Sequence, residues 1–244
     1  MAHRTPLNLI VLQHAAVEHP GIFADFFRED GFEMHTVELD EGEPIPDLER
    51  FDVMIVMGGP QDVWQEDQHA WLRPEKEAIR KFVADMQRPY LGVCLGHQLL
   101  ADSLGGRVVP GNTPEIGVLP VSKTSAGKSD PVFSDLPSRL KVLQWHGAEV
   151  TAVPDGAAVL ASSEVCPIQA FRYGPHAYGL QFHMEVNVNT VAAWAAIPEY
   201  ARSLEEAMGA NGVQQLEQQV SSELSNFNRD ARALYDRLKD VWTA

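Results

Sequence analysis

The sequence predicts an α/β fold in which a mostly parallel sheet is covered by helices on both faces. Short apolar runs alternate with stretches of helical periodicity through the first half of the chain, and this alternation is typical of parallel sheets. Two of the runs lead into glycine-containing turns, at the strand ends where such sheets carry functional groups. The 244 residues are enough to bury a sizeable core.

The first half of the chain reads as alternating strands and helices. The expected strands are short, apolar and bounded by turn residues, and they cover 7–12, 32–37, 53–57 and 90–93. The expected helices repeat apolar residues at steps of three and four, and they cover 20–29, about 68–86 and 97–104. Gly105 and Gly106 stop the last of these helices.

The second half is richer in strand patterns and ends in helical ones. Strands are expected at 118–122, 140–144, 158–162, 168–173 and 177–182. Apolar residues then recur at helical spacing, and Asn226 or Asn228 is a candidate N-cap that would divide the tail into two helices. We expect a domain at 1–197 and a helical extension at 198–244 packed on it. The alternative is that the apolar stripe forms a seam in a homodimer.

Composition narrows the class of protein. The formal net charge of -15 argues against nucleic acid or an anionic membrane as the main partner. No apolar run approaches the roughly 20 residues of a membrane helix, and the start of the chain has no signal-peptide layout. The two cysteines, Cys94 and Cys166, do not favour a disulfide framework, so the expected location is the reducing cytoplasm.

Cys94 is the candidate nucleophile. It lies in the pattern GVCLG at 92–96, which follows an apolar strand and precedes a helix. Such an elbow exposes the nucleophile on a sharp turn, while the helix start favours a thiolate and offers the Leu95 amide to an oxyanion. Gly59, after another strand, offers a second amide. A lone cysteine is more often a buried structural residue, so the elbow is what favours catalysis.

A thiol nucleophile needs a base, and the base needs a group that orients it. Among the 9 histidines, His183 lies at the end of an apolar strand and is followed two positions later by Glu185. Residues two apart on a strand share a face, so Glu185 is expected to reach the His183 imidazole. Pairs of this kind are also common on surfaces, and the pair alone is weak evidence.

Three blocks taken together resemble class I glutamine amidotransferases. They are MGGP at 57–60, GVCLGHQ at 92–98 and LQFHME at 180–185. Their order and spacing are most similar to the glutaminase domain of GMP synthase and its free-standing relatives, over about 7–195. The resemblance implies a flavodoxin-like α/β fold. It also implies a small-molecule substrate, either glutamine or a γ-glutamyl compound.

The resemblance also implies roles for single residues. Cys94 is the nucleophile, His183 the base and Glu185 the orienting group of a triad. Gly59 and Leu95 supply the oxyanion amides. The candidate substrate-binding residues are Gly58, Gln98, Trp145 and His146. The implied reaction cleaves the γ-amide through a cysteine thioester and releases ammonia or an amine, with no metal and no cofactor.

Departures from the family pattern leave the substrate and partner open. Met184 replaces the usual proline, which changes local stiffness more than chemistry. Trp145 and Ala148 replace a serine and an aspartate that help the related glutaminases to hold free glutamine. No pyrophosphate-binding loop of the synthetase type occurs in the sequence. We therefore expect either a separate synthetase subunit that accepts the ammonia, or a γ-glutamyl peptidase that acts alone.

Two other classes of protein are weighed against the enzyme. Cys94 and His97 have a CxxH spacing, and Cys166 or His183 would have to join them in a metal-binding module. A non-catalytic relative that only binds a partner is the second alternative. The loop 62–66 after the Gly-Gly-Pro turn is expected to line the pocket or to meet such a partner.

Overall fold

The computed structural model describes residues 7–243, whose strands form one mixed sheet. The strands are β1 (Asn8–Gln13), β2 (Glu33–Glu38), β3 (Val53–Val56), β4 (Tyr90–Val93), β5 (Arg107–Lys123), β6 (Arg139–Ala152), β7 (Ala158–Ser162), β8 (Ala170–Tyr173) and β9 (Ala177–Leu180). Their order across the sheet is β2-β1-β3-β4-β9-β8-β7-β5-β6. The first five in this order are mutually parallel and the other pairs are antiparallel. The predicted α/β class is confirmed.

The helices alternate with the first strands and then gather at the end of the chain. They are α1 (Ile22–Glu29), α2 (Leu72–Arg80), α3 (Leu95–Ser103), α4 (Ser125–Ser129), α5 (Thr190–Trp194), α6 (Pro198–Met208) and α7 (Gly212–Trp242). A π-helical turn, Lys81–Asp85, continues α2. Among residues 7–243, no helix combines the length and the apolar character that crossing a bilayer requires.

Helices cover both faces of the parallel half of the sheet. Side chains alternate along β1, so Leu9 and Val11 pack into one apolar cluster while Ile10 and Leu12 pack into the other. The first cluster includes buried side chains of α1 and α7, and the second those of α2 and α3. This two-sided burial explains why the strand patterns are continuously apolar.

Strands β5 and β6 are much longer than the sequence pattern predicts. They contain 17 and 14 residues, against the expected 118–122 and 140–144. The two strands pair with each other from Arg107 to Ser122, with an irregularity between Pro110 and Glu115. Their outer parts contain proline and polar residues that read as loop, and the pairing itself supplies the backbone hydrogen bonds that hold them extended.

The predicted division of the tail at Asn226 or Asn228 is wrong. Helix α7 runs through both positions for 31 residues. The Asn226 amide donates to Glu223 Oε2 at 2.7 Å and accepts from Arg229 Nη1 at 2.8 Å, so it bridges side chains along the helix surface and caps nothing. The interruption falls earlier, at Gly209, whose φ of +76° ends α6.

Helix α7 packs back on the chain's own core. The Tyr235 ring lies 5.3 Å from the Phe26 ring, and its hydroxyl donates to the Phe26 carbonyl oxygen at 3.2 Å. Leu216, Phe227 and Leu238 of the same stripe are buried as well. Much of the apolar stripe is therefore buried within one chain, although Val213 near its start is exposed.

The carboxyl ends of the parallel strands bring the predicted site together. His14 directly follows β1, Gly58 follows β3 after one residue, and Cys94 directly follows β4. His183 lies three positions beyond the end of β9. These strands are neighbours in the sheet, so the four residues lie along one edge of it.

Candidate active site

Cys94 forms the turn between β4 and α3. Its φ of +52° and ψ of −104° are strained for a residue with a side chain. A Cβ atom on Gly92 would lie 2.4 Å from the Gly96 carbonyl oxygen, and one on Gly96 would lie 2.1 Å from the Val56 carbonyl oxygen. Both glycines are required by close backbone approach, and the turn has the elbow geometry that the pattern predicts. Helix α3 begins at Leu95, two residues earlier than expected.

His183 and Glu185 are in direct contact beyond the end of β9. His183 Nδ1 lies 2.6 Å from Glu185 Oε1, and the Met184 amide donates to Glu185 Oε2 at 3.0 Å. Two backbone hydrogen bonds with Leu143, of 2.8 and 3.1 Å, hold the histidine in place. The strand argument for this contact is wrong in detail, because β9 ends at Leu180 and the pair lies in the irregular segment after it.

The surroundings of His183 favour its charged form. Burial opposes a charge on the ring, but the Glu185 carboxylate and the neighbouring Cys94 outweigh it and raise the His183 pKa well above its ordinary value. The Trp194 ring meets the imidazole edge-on, with centroids 4.6 Å apart. A buried imidazolium beside a thiol is the arrangement that stabilises a thiolate.

Two residues that follow strand ends line the same pocket as Cys94. Gly59 and Leu95 both line the pocket that the Cys94 side chain reaches. Within residues 7–243, neither amide has a hydrogen-bond acceptor. Two free N–H groups at a turn and at a helix start are the donors that an oxyanion requires.

The turn that contains Gly59 is held from behind by His14. The His14 Nδ1 donates to the Gly58 carbonyl oxygen at 2.9 Å, and its Nε2 lies 2.8 Å from Glu75 Oε1. Burial opposes a charge on His14, but Glu75 outweighs it and raises the pKa of the imidazole. In a trans peptide the C=O and the following N–H point in opposite directions. The bond to the Gly58 oxygen therefore directs the Gly59 amide away from His14.

The pocket contains six of the nine predicted site residues. They are Gly59, Cys94, Leu95, Gln98, Trp145 and His146. Gly58, His183 and Glu185 lie behind this lining, and Gly58 faces inward, where a Cβ atom would lie 3.3 Å from His183 Cε1. Asp62 of the loop 62–66 joins the lining, while Trp64 of that loop is 44% exposed.

Comparison with known proteins assigns the chain to a family. Residues 23–193 match the family model of the class I glutamine amidotransferases. The chain belongs to the class I glutamine amidotransferase family. The matched stretch includes the Cys94 elbow and the His183–Glu185 pair.

Two relatives of this class I glutamine amidotransferase are similar to it over nearly the whole chain, and a third is similar over about two thirds of it. The glutamine amidotransferase-like protein YfeJ of Salmonella typhimurium is 30% identical over 229 residues, which cover 92% of this chain and 94% of YfeJ. A crystal structure of a glutamine amidotransferase from Thermotoga maritima has a TM-score of 0.85 at 31% identity and covers 96% of this chain and 99% of that one. GMP synthase of Neisseria meningitidis serogroup C is 33% identical over 157 residues, 63% of this chain and only 28% of the synthase.

Gln98 of this amidotransferase is linked to Cys94 through a second glutamine side chain. Its Nε2 donates to Gln181 Oε1 at 3.1 Å and to the Ala148 carbonyl oxygen at 3.3 Å. Gln181 Nε2 in turn lies 3.7 Å from Cys94 Sγ. The Gln98 side chain thus reaches the pocket while it fixes a second amide against the sulfur.

Helix α6 contributes pocket residues that the sequence patterns do not indicate. Glu199, Tyr200 and Ser203 line the pocket, and Trp145 Nε1 donates to Ser203 Oγ at 3.0 Å. The helix follows the stretch that carries the family motifs, so no motif points to it. The Trp145–Ser203 bond shows why a tryptophan fits here, because its indole N–H has a partner in α6.

A second carboxyl group, Glu18, is buried beside His183. The Tyr200 hydroxyl donates to Glu18 Oε1, while Oε2 has no partner within the described residues. A Cβ atom on Gly58 would lie 2.6 Å from that Oε2 atom, which places it behind the turn near His183. Burial raises the pKa of Glu18, against the opposite effect of His183. No sequence signal marks Glu18, since it lies in a loop without a motif.

The CxxH metal module does not form. His97 is fully buried against β8 and β9, with its ring 5.0 Å from that of Phe171. Burial lowers the His97 pKa to about 3. Within residues 7–243, Cys94 and His97 belong to no group of three side chains that could hold a metal ion.

Proposed function

We propose that this glutamine amidotransferase cleaves the γ-amide of glutamine, or of a γ-glutamyl amide, through a thioester on Cys94. His183 is the base and Glu185 orients it. The observation that carries the proposal is the 2.6 Å contact between His183 and Glu185 beside the Cys94 thiol on its elbow. Nucleophile, base and orienting group are the parts that thiol catalysis needs.

The proposed reaction has two halves. The Cys94 thiolate attacks the γ-carbonyl carbon, and the oxyanion accepts hydrogen bonds from the Gly59 and Leu95 amides. The His183 imidazolium gives its proton to the leaving ammonia or amine, and a γ-glutamyl thioester remains. His183 then takes a proton from water, which attacks the thioester and releases glutamate and the thiol. Each oxyanion donor contributes about 3 kcal/mol to lowering the barrier.

His14 is the residue that we expect to position one of these donors. In Glu75→Gln, the glutamine donates to His14 Nε2 while Nδ1 still holds the Gly58 oxygen, so kcat is expected within about threefold of wild type. Adding His14→Ala in that background frees the Gly58–Gly59 peptide and is expected to lower kcat on the order of 10- to 100-fold, with KM little changed.

The background variant is the control, because it removes the buried charge that His14→Ala alone would leave unpaired. Steady-state kinetics of glutamate release give kcat and KM for both proteins. Equal kcat values in the two variants would show that His14 does not position the amide.

The pocket favours a substrate with a free amino group. Asp62 and Glu199 place two carboxylates in it, and none of the described lining residues is lysine or arginine. The α-amino group of a γ-glutamyl unit suits this charge, whether the leaving group is ammonia or a larger amine. We propose glutamine as the main substrate with a separate synthetase subunit as ammonia acceptor. The Trp145 and Ala148 departures favour a γ-glutamyl peptidase as the second candidate.

Glutamate and amine release from a substrate panel tests this function. The purified chain is given glutamine, γ-glutamyl amides and γ-glutamyl dipeptides, with asparagine as control because its amide is one methylene too short to reach Cys94. Turnover of glutamine above the dipeptides would support an ammonia-supplying enzyme. Turnover of a dipeptide well above glutamine would support the peptidase. No turnover of any γ-glutamyl compound, with no labelling of Cys94 by a γ-glutamyl electrophile, would overturn both.

A further inference from the structure

Three buried side chains beside the pocket bring a carboxylate, an imidazole and a thiol together. They are Glu115, His146 and Cys166, and one donor atom from each lies within 4.8 Å of the other two. All three are almost fully buried, at 5%, 8% and 2% exposure. Glu115 and His146 are direct partners across β5 and β6, and Cys166 lies in the loop between β7 and β8.

His146 Nε2 lies close to the Glu115 carboxylate with no hydrogen bond between them. His146 Nδ1 lies 2.9 Å from the Ala148 carbonyl oxygen, and since a carbonyl only accepts, this nitrogen carries the proton. In the neutral ring, Nε2 then presents a lone pair. That atom lies 3.3 Å from Glu115 Oε2 and has no hydrogen-bond partner within the described residues. Two acceptors this close in a dry site repel each other unless a cation or a proton lies between them.

The carboxylate oxygen is held in place from another side. Gln169 Nε2 donates to the same Glu115 Oε2 at 2.5 Å, and its Oε1 accepts from Gln144 Nε2 at 2.8 Å. The Cys166 amide is likewise held, by the Ser163 hydroxyl at 3.0 Å. Neighbouring residues therefore hold the Glu115 oxygen and the Cys166 backbone in place before any ion binds.

We propose that Glu115, His146 and Cys166 bind one divalent transition-metal ion of the zinc class. With metal–ligand bonds of about 2.1 Å, the nitrogen and oxygen ligands of a tetrahedral site lie roughly 3.4 Å apart, close to the separation of Nε2 and Oε2. A proton on His146 would satisfy Glu115 alone, whereas an ion would also bind the Cys166 sulfur, which without it donates to the Ile168 carbonyl oxygen at 3.7 Å. A mixed nitrogen, oxygen and sulfur set suits zinc and not magnesium or calcium.

Metal binding at this site releases one proton. The Cys166 thiol loses its proton to solvent and the sulfur becomes a thiolate ligand, while His146 and Glu115 bind in the forms that they already have. Burial, together with the Glu115 and Glu149 carboxylates, raises the pKa of the Cys166 thiol, so the ion has to displace that proton. Since His146 also lines the pocket, the ion would hold one pocket wall in place.

Measuring the zinc bound by the protein tests the proposal without any enzymatic turnover. The full chain carrying Cys94→Ser keeps Cys166 as its only thiol. It is stripped with a chelator, dialysed against Zn²⁺ alone, and analysed for bound metal. One zinc per chain is expected, and Co²⁺ in its place is expected to give a sulfur-to-cobalt charge-transfer absorption. The outcome is independent of the proposed function, because bound metal is measured without any turnover and the variant lacks the Cys94 thiol.

Single substitutions in the same background locate the ion. Cys166→Ser and Glu115→Gln preserve side-chain size, and each is expected to weaken zinc binding at least about 10-fold. Cys166→Ser is also expected to abolish the cobalt–sulfur absorption. His35→Gln, which alters an exposed histidine on β2, is the control and is expected to bind normally. Thermal melting of the metal-free proteins confirms that each variant folds. Substoichiometric zinc in the Cys94→Ser protein would overturn the site. So would zinc binding that is unchanged by Cys166→Ser or by Glu115→Gln.

Discussion

Replacing Cys94 with alanine is expected to lower kcat/KM for γ-amide hydrolysis on the order of 10⁵-fold or more. In the proposed mechanism the sulfur is the only protein atom that forms a covalent bond to the substrate carbon. The Gly59 and Leu95 amides remain, and so does the pocket, but they have no covalent step to accelerate. Glutamate release from the best substrate of the panel, compared at equal protein concentration, measures the loss.

The fold of this variant is expected to survive. Cys94 is 6% exposed and its sulfur is small, so the loss of free energy of unfolding is on the order of 1 kcal/mol. Alanine keeps a Cβ atom and therefore experiences the same backbone strain at a φ of +52°. A γ-glutamyl electrophile should add its mass to Cys94 in the wild type and to nothing in the variant. Retention of more than about 1% of the activity would refute Cys94 as the nucleophile.

Gly96→Ala is expected to destabilise the protein by more than about 3 kcal/mol. The new Cβ atom would lie 2.1 Å from the Val56 carbonyl oxygen, which belongs to the backbone of β3 and cannot turn aside. The same residue fixes the start of α3, since the Gly96 amide donates to the Met57 carbonyl oxygen at 3.1 Å. Relief of the clash would have to separate α3 from β3 and would move the Cys94 elbow with it.

Gly147→Ala is the matched control for this clash. A Cβ atom on Gly147 meets nothing within 4 Å. The free energy of unfolding of the Gly147→Ala protein is therefore expected within about 0.5 kcal/mol of wild type. Urea unfolding followed by circular dichroism gives the free energy for both variants. In thermal melts, Gly96→Ala should lower Tm by about 6–12 °C. A Gly96→Ala protein as stable as the control would contradict the close approach of α3 and β3.

The sequence by itself determined the parts of the protein that depend on local pattern. Buried parallel strands must be apolar on both faces, so β1, β3 and β4 appear as short apolar runs. The elbow is equally local, because Gly92 and Gly96 are required within four positions of each other. Parallel topology then brings the carboxyl ends of these strands together, and this is why the sequence alone points to Cys94 and His183 as neighbours.

Only the tertiary structure decided which distant side chains complete the site. Glu18 meets Tyr200 across 182 positions and His14 meets Glu75 across 61, and no periodicity records either contact. The lengths of β5 and β6 depend on the hydrogen bonds between the two strands. The side-chain pattern of their outer parts is typical of loops and does not predict those bonds. The contribution of α6 to the pocket is of the same kind. A side-chain pattern encodes which face of an element is buried, whereas the partner on that face is chosen by packing of the whole chain.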